Sequence, residues 1–145
     1  MATIKTVKVT ATGPDGWLIT TKAGIHTALV DQPETMGGKN EGPSPLDYVF
    51  IALASCLITI GKIVAGQRKI DLRGMEVEVT GDVNLEVLRG QEKNERAGFK
   101  NFVATVKVDA DMTDEEKKAF LEEVDRRCPI SDNLANVTPV EVKLA

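Results

Sequence analysis

The stretch that decides the fold is GPSPLDYVFIALASC, from Gly42 to Cys56. It opens with two prolines around a serine, runs into an almost wholly apolar segment and ends on one of the two cysteines in the chain. A free cysteine in such surroundings usually behaves as a small buried hydrophobic residue. The alternative is that this thiol is a reagent and that the apolar residues around it form its pocket.

The same stretch begins a long helix. Ser44 suits the N-cap, Pro45 suits the first helical position, and Asp47 would lie in the first turn, where a carboxylate offsets the helix dipole. The next stop signal is Gly66, so we expect the helix to end there.

The apolar part of this helix, Leu46–Val64, has 19 residues, close to the ~20 that a bilayer requires. It carries Asp47 and Lys62, however, and it lies between strand-like segments with no second apolar segment to accompany it. A helix that is apolar on nearly all sides also occurs at the centre of a domain or a dimer. We therefore predict a core helix and no membrane partner.

The remaining chain predicts an α+β fold in a single domain, residues 1–145, because strands and helices do not alternate regularly. Thr113 and Glu116 form a capping-box pattern at the start of a second helix, which Pro129 should end near Arg127 or Cys128. Ser131 would cap one further turn. Alternating apolar and polar residues predict strands at residues 3–12, 17–24, 25–31, 75–88, 99–111 and 137–145.

Composition excludes several partners and sites. The net charge is −4 and the basic residues are scattered, which argues against a nucleic-acid partner. The N-terminus MATIKTVKVTATG lacks the apolar core of a signal peptide, so we expect a cytoplasmic protein with reduced cysteines. One histidine and two cysteines lack the spacing of a zinc site, and no metal is predicted.

The two cysteines differ in their sequence surroundings. The helical neighbours of Cys56 at three and four positions are uncharged, and apolar burial should raise its pKa. Cys128 follows Arg126 and Arg127 and precedes the turn that Ser131 would cap, features that would favour a thiolate. From these residues alone, two inert core cysteines and a reactive pair both remain open.

GPSPLDYVFIALASC, followed 72 residues later by CPISDNL and a final valine-rich segment, resembles the OsmC/Ohr family of thiol-dependent peroxidases. GIHTALVD, ahead of the helix, resembles the OsmC-like branch. The resemblance implies an OsmC-like fold, with antiparallel sheets wrapped around long central apolar helices in an intertwined homodimer. It also places the active sites at the subunit boundary.

The chemistry that the resemblance implies is reduction of organic hydroperoxides in oxidative or osmotic stress defence. Cys56 would attack the peroxide and become a sulfenic acid, and Cys128 would condense with it to a disulfide. An external dithiol or lipoyl reductant would restore both thiols, so no bound cofactor is expected. Asp47 is a further candidate catalytic residue. An apolar wall would favour organic over inorganic peroxides, and its predicted members are Tyr48, Val49, Phe50 and Leu53.

Members of this family pair an arginine with a glutamate near the first thiol. Here Leu46 follows the helix proline, and no arginine precedes Arg68. The candidate cations that would replace the arginine are Lys22, His26, Lys39 and Arg96. The absent pair leaves two alternatives to a peroxidase, which are a non-enzymatic dimer that binds a small apolar ligand and a purely structural dimer without a pocket.

Overall fold

The computed structural model describes residues 1–145. The chain forms two compact units, Met1–Val49 and Phe50–Ala145. The boundary falls inside the longest helix, α1, which spans Pro45–Arg68. Each unit contains its own antiparallel sheet. The predicted α+β class is confirmed, while the single domain of residues 1–145 stays a prediction.

The N-terminal unit is built on a three-stranded antiparallel meander. Its strands are β1 (Thr10–Thr12), β2 (Ile19–Ala23) and β3 (His26–Val30), in the order β1-β2-β3. Ala23 pairs with His26, so only two residues connect β2 to β3. The first of them, Gly24, has φ 60°, the positive value that a type II′ hairpin turn requires at that position.

Asp31 organises the loop that follows β3. Only 2% of this residue is exposed, and its carboxylate accepts N–H bonds from Gln32 (2.8 Å), Lys39 (3.2 Å) and Glu41 (3.1 Å). The N–H groups of Glu41 and Gln32, with a smaller contribution from Lys39, hold the pKa of Asp31 below its usual range. The buried carboxylate therefore joins the start of this loop to its later residues Lys39 and Glu41.

Helix α1 begins and ends through local backbone features. Pro45 is its first residue, as predicted. The helix continues two residues beyond the predicted stop at Gly66 and ends at Arg68. Lys69 adopts a left-handed φ of 57°, and the N–H of Ile70 then bonds the Ala65 carbonyl at 2.9 Å. A left-handed residue just after the last turn is a common way to end a helix, and here a lysine rather than a glycine supplies it.

The C-terminal unit packs the rest of α1 with a two-stranded antiparallel sheet and three further helices. The capping box of Thr113 and Glu116 is confirmed, with both reciprocal hydrogen bonds present. The elements are β4 (Gly74–Thr80), α2 (Leu85–Leu88), β5 (Val103–Asp109), α3 (Asp114–Arg127) and α4 (Pro129–Ala135).

The core of this unit lies between α1, β5 and α3. Phe120 and Val124 on α3 are almost fully buried, as is Val64 on α1. Their burial follows the helical spacing of apolar residues. The complete core cluster consists of Leu53, Leu57, Val64, Ala65, Val108, Ala110, Phe120, Val124 and Cys128.

One face of α1 does not join this core. The helix is long and apolar enough to cross a bilayer, a test that core helices of soluble proteins also pass. Leu53 and Leu57 are buried in the core cluster, whereas Ile51 and Ile63 on another face are exposed. Within one copy of the chain, the helix is therefore buried on one side only.

Three predicted strands are wrong in whole or in part. The strand predicted at 75–88 stops at Thr80, because Asn84 accepts the N–H of Glu86 at 3.0 Å and caps α2. Of the strand predicted at 3–12, only Thr10–Thr12 pairs. The segment predicted at 137–145 contains no strand. Alternating apolar and polar residues show only that a segment suits a sheet. A strand also needs a neighbouring strand to pair with, and the two terminal segments have none in this chain beyond Thr10–Thr12.

Candidate functional site

Cys56 lies in the middle of α1, on the side that packs against the core of the C-terminal unit. Its side chain is half-buried and its thiol is free. The helical neighbours Ala52 and Ile60 are also partly buried, while Ser55 and Thr59 are exposed and bond backbone carbonyls of their own helix. Cys56 therefore sits at the edge between the core and the uncovered face of α1.

Cys128 occupies the junction between two helices. Its backbone N–H donates to the Asp125 carbonyl at 3.1 Å and ends α3, and its carbonyl accepts the Asp132 N–H at 3.0 Å and begins α4. The thiol sulfur accepts the Ser131 N–H at 3.4 Å, so Cys128 itself caps α4. The prediction that Ser131 would cap this turn is wrong, since Ser131 lies inside the helix.

The structure brings the two thiols together although 72 residues separate them. Cys56 packs against the core cluster that contains Cys128, and the Cys128 side chain is fully buried. Burial raises the pKa of Cys128 above its usual range, and the neighbouring Cys56 thiol raises it further. The N–H groups of Ser131 and Ile130 act in the opposite direction without reversing the shift. At neutral pH Cys128 is therefore a protonated thiol.

The arginines next to Cys128 do not stabilise its thiolate, contrary to the expectation from sequence. Arg127 donates to Gln67 at 2.9 Å and to Glu123 at 3.1 Å. Glu123 is also paired with Arg68 of α1. These groups form an ion-pair cluster that links α3 to the end of α1, and the pKa of Cys128 is set by burial and its sulfur and N–H contacts instead.

Asp47 makes the contacts of a helix cap. Its carboxylate accepts the Ser44 N–H at 2.8 Å and the Ser44 hydroxyl at 2.7 Å, and its own N–H donates to the Ser44 oxygen at 3.2 Å. This reciprocal pairing satisfies the first backbone donors of α1. A catalytic role for Asp47 stays a prediction.

The other sequence candidates are distributed over both units. Lys22 is on β2, His26 is on β3, and Lys39 follows in the Asp31 loop, all within the N-terminal unit. In the C-terminal unit, Arg96 lines an open cavity of about 740 Å³ beside Leu134 and the chain that follows α4. Their roles toward Cys56 stay predictions.

The predicted apolar wall divides between different environments. The Tyr48 hydroxyl donates to the Leu29 carbonyl at 2.6 Å in the N-terminal unit. In the C-terminal unit Leu53 joins the core, and Phe50 belongs to an aromatic cluster with Phe99 and Phe102, at ring-centroid distances of 4.9 and 5.5 Å. Phe99 and Phe102 were not among the wall residues predicted from sequence, because they lie some 50 residues further along the chain.

Sequence analysis also missed the backbone donors at Cys128. Pro129 is the first residue of α4, a position that proline favours, and this would have identified Cys128 as the cap. Because proline has no N–H, the sulfur takes its hydrogen bond from the N–H of Ser131, at 3.4 Å, and the N–H of Ile130 also lowers the pKa of Cys128.

The family model of OsmC-like proteins matches residues 38–143. That range includes both thiols, α1 and every element of the C-terminal unit. The chain therefore belongs to the OsmC-like family. A search of curated proteins finds no match. Family membership favours a core helix over a membrane span for α1, while the cytoplasmic location stays a prediction.

Solved structures confirm the OsmC-like fold. An OsmC-like protein from Mycoplasma pneumoniae is 20% identical with a TM-score of 0.79, and the match covers 92% of this chain and 89% of that one. The organic hydroperoxide resistance protein OsmC from Legionella pneumophila is 20% identical, with a TM-score of 0.66 and coverage of 92% and 91%. An organic hydroperoxide resistance protein from Elizabethkingia anophelis is 25% identical, with a TM-score of 0.61 and coverage of 91% and 89%.

Proposed function

We propose that this protein is a thiol-dependent peroxidase that reduces organic hydroperoxides, with Cys56 as the peroxidatic residue and Cys128 as the resolving residue. The observation that carries the proposal is the packing of Cys56 against the core cluster that contains Cys128, close enough for Cys56 to raise the pKa of Cys128. Two relatives of the same fold are described as organic hydroperoxide resistance proteins, which supports this substrate class.

The assignment of roles follows from exposure. Cys56 is half-buried and within reach of a small substrate, whereas Cys128 is fully buried. The Cys56 thiolate attacks one peroxide oxygen, the O–O bond breaks, and the electron pair leaves with an alkoxide that is protonated to the alcohol. Cys56 is thereby oxidised to a sulfenic acid and the hydroperoxide is reduced.

The second step uses the proximity of the two sulfurs. Cys128 attacks the sulfenic sulfur, an S–S bond forms, and the sulfenic oxygen leaves as water. A dithiol of low molecular weight, or a lipoyl group, then reduces the disulfide by two exchange steps and becomes a disulfide itself. No bound cofactor is required. Trapping by Cys128 protects Cys56 from irreversible oxidation to the sulfinic acid.

The aromatic cluster supports an organic substrate. Phe50 lies on α1 less than two turns before Cys56 and contacts Phe99 and Phe102. These rings give the helix an apolar neighbourhood that suits the alkyl or aryl part of an organic hydroperoxide better than hydrogen peroxide.

We also propose that the working unit is a homodimer in the cytoplasm that acts in oxidative or osmotic stress defence. The uncovered apolar side chains of α1, Ile51 and Ile63, are suited to contact with a second copy. The unpaired terminal segments carry further exposed apolar residues, namely Ile4, Val7, Val9, Val137, Val140, Val142 and Leu144. Apolar surface of this extent is characteristic of an interface.

The test is turnover of cumene hydroperoxide by the purified, reduced protein with excess dihydrolipoamide. We expect Cys56→Ser to abolish turnover, a loss on the order of 100-fold or more. Cys128→Ser should retain the first oxidation but accumulate Cys56 sulfinic acid, detected by intact mass. Ser55→Ala is the matched control on α1, because it removes a neighbouring polar group and leaves both thiols in place.

Equal, slow peroxide consumption by the wild type and Cys56→Ser would refute the proposal. Retention of an apolar ligand in native mass spectra, without loss of free thiol on addition of peroxide, would instead favour the non-enzymatic binding alternative.

A further inference from the structure

Ser131 is tied to Cys128 and to α3 by two separate bonds. Its backbone N–H donates to the Cys128 sulfur at 3.4 Å, and its hydroxyl donates to the Asp125 carboxylate. Asp125 in turn accepts the Cys128 N–H at its backbone carbonyl at 3.1 Å. Both ends of the four-residue turn from Cys128 to Ser131 are therefore fixed to one residue in the last turn of α3.

Few backbone N–H groups in this turn can donate a hydrogen bond to the Cys128 sulfur. Pro129 contributes no N–H, so the sulfur depends on the backbone donors of Ile130 and Ser131. Ser131 reaches Asp125 from the first turn of α4, and its N–H can point at the sulfur only while the turn keeps its shape. The Asp125 carboxylate is exposed enough to accept the hydroxyl without a burial penalty of its own.

We propose that Ser131 and Asp125 are positioning residues that hold the Ser131 N–H on the Cys128 sulfur and thereby set how fast Cys128 closes the disulfide with Cys56. This inference rests on the proposed function for its place in the catalytic cycle. The step it concerns is the attack of Cys128, as a thiolate, on oxidised Cys56. An N–H donor stabilises the charge that this attack requires.

Of the other charged groups near Cys128, Arg126 is exposed and is not a cause of the shift in the Cys128 pKa. On α1 the titratable group that faces it is Cys56. On α3, Arg127 is paired with Glu123. On α4, the Asp132 carboxylate accepts the Asn136 side chain at 3.2 Å. The neighbouring core residues of β5 are apolar. Backbone donors are therefore what opposes burial at this sulfur.

The experiment uses the full-length protein and two oxidants. Cumene hydroperoxide follows the proposed cycle. Diamide, an azo compound that takes two electrons and two protons, closes the same disulfide without peroxide chemistry. The variants are Ser131→Ala, Asp125→Ala and the pair combined, with Glu122→Ala as the matched control because Glu122 is an exposed acid on α3 that contacts neither Cys128 nor Ser131 through a hydrogen bond.

With either oxidant we expect disulfide closure to slow roughly tenfold in Ser131→Ala and Asp125→Ala, about the worth of one hydrogen bond. The double variant should be no slower than the slower single one, because both changes break the same contact. Ser131→Thr should restore the wild-type rate, since it keeps the hydroxyl. The first oxidation of Cys56 by peroxide should not change.

A titration separates positioning from general destabilisation. In a Cys56→Ser background, the ultraviolet absorbance of the thiolate follows ionisation of Cys128. Loss of the Ser131 N–H contact should move the midpoint to higher pH, whereas loosening of the core alone would let water in and move it lower. Unchanged midpoints and closure rates equal to those of Glu122→Ala would overturn the proposal. If diamide shows the effect and peroxide oxidises neither thiol, the proposed function fails while the positioning role stands.

Discussion

Asp31 and Cys128 are both buried acids that accept backbone N–H bonds, yet their pKa values move in opposite directions. Asp31 collects three N–H donors from one loop, and these lower its pKa. At Cys128, burial and the contact with Cys56 outweigh the donors Ser131 and Ile130, and the pKa rises. The contrast shows that the charge of a buried acid depends on whether the N–H donors around it outweigh the cost of burial. Asp31 is an anion that holds a loop in shape, whereas Cys128 remains a neutral, protonated thiol.

The protonated state of Cys128 suits the proposed catalytic cycle. A negative charge on Cys56 is one of the causes that raise the pKa of Cys128. Once Cys56 becomes an uncharged sulfenic acid, that cause disappears and Cys128 ionises more readily. The resolving thiol therefore becomes a better nucleophile when its partner has been oxidised.

The largest expected effect comes from removing the burial at Cys128. Phe120→Ala, in the same core cluster, should lower the free energy of unfolding by about 3–5 kcal/mol. Water that enters the cavity should also lower the pKa of Cys128 toward its ordinary value. Urea unfolding and thiolate absorbance measure the two effects. A midpoint that does not move would show that burial is not the dominant cause.

The second prediction compares the two thiols directly. In the native, reduced protein, Cys56 should react with iodoacetamide on the order of 100-fold faster than Cys128, whose labelling requires local opening. Peptide mass mapping over time gives both rates, and labelling in urea should remove the difference. Comparable native rates would contradict the assignment of Cys56 as the accessible thiol.

Asp31→Asn tests the other half of the comparison. The variant keeps the shape of the side chain but removes the charge that three N–H groups stabilise, so the melting temperature should fall by several degrees at neutral pH. Because the folded pKa is lowered, this stabilisation is present above the unfolded pKa of about 3.9 and is lost as the pH falls through the folded value. Glu34→Gln, an exposed acid in the same loop, is the control. If the two variants melt alike, the loop does not depend on the Asp31 charge.

The smallest effect is expected at alkaline pH. Because the folded pKa of Cys128 is raised, its contribution to stability is complete below the unfolded pKa of about 8.5 and is lost as the pH rises through the folded value. The free energy of unfolding should therefore fall as the pH rises above the unfolded pKa of about 8.5. Cys128→Ser should flatten this part of the curve. An equally steep decline in the variant would assign it to other groups.

Local signals in the sequence were enough to predict α1, α3 and their first turns. Ser44, Pro45 and Thr113 act on backbone groups within a few residues of themselves, so their roles do not depend on the rest of the fold. The core face of α3 follows from the spacing of its apolar residues. The pairing of Cys56 with Cys128 did not follow from spacing, and only the resemblance of two motifs to a known family brought these residues together.

The failures concern contacts with distant or absent partners. The end of β4 at Thr80 depended on the cap that Asn84 provides to a four-residue helix, a signal hidden inside an alternating pattern. The terminal segments alternate like strands but have no neighbour in this chain to pair with. The protonated state of Cys128 depended on three-dimensional burial, which outweighed the two arginines that precede it in sequence.

The extended C-terminal segment also has a consequence for handling the protein. Val142 and Leu144 are almost completely exposed, and the backbone around them lacks ladder partners. Such a strand-prone edge is a template for aggregation when nothing covers it. If a second copy provides the cover, dilution should dissociate the two copies and promote proteolytic trimming of this tail, and a bulky tag fused after Ala145 should also promote trimming.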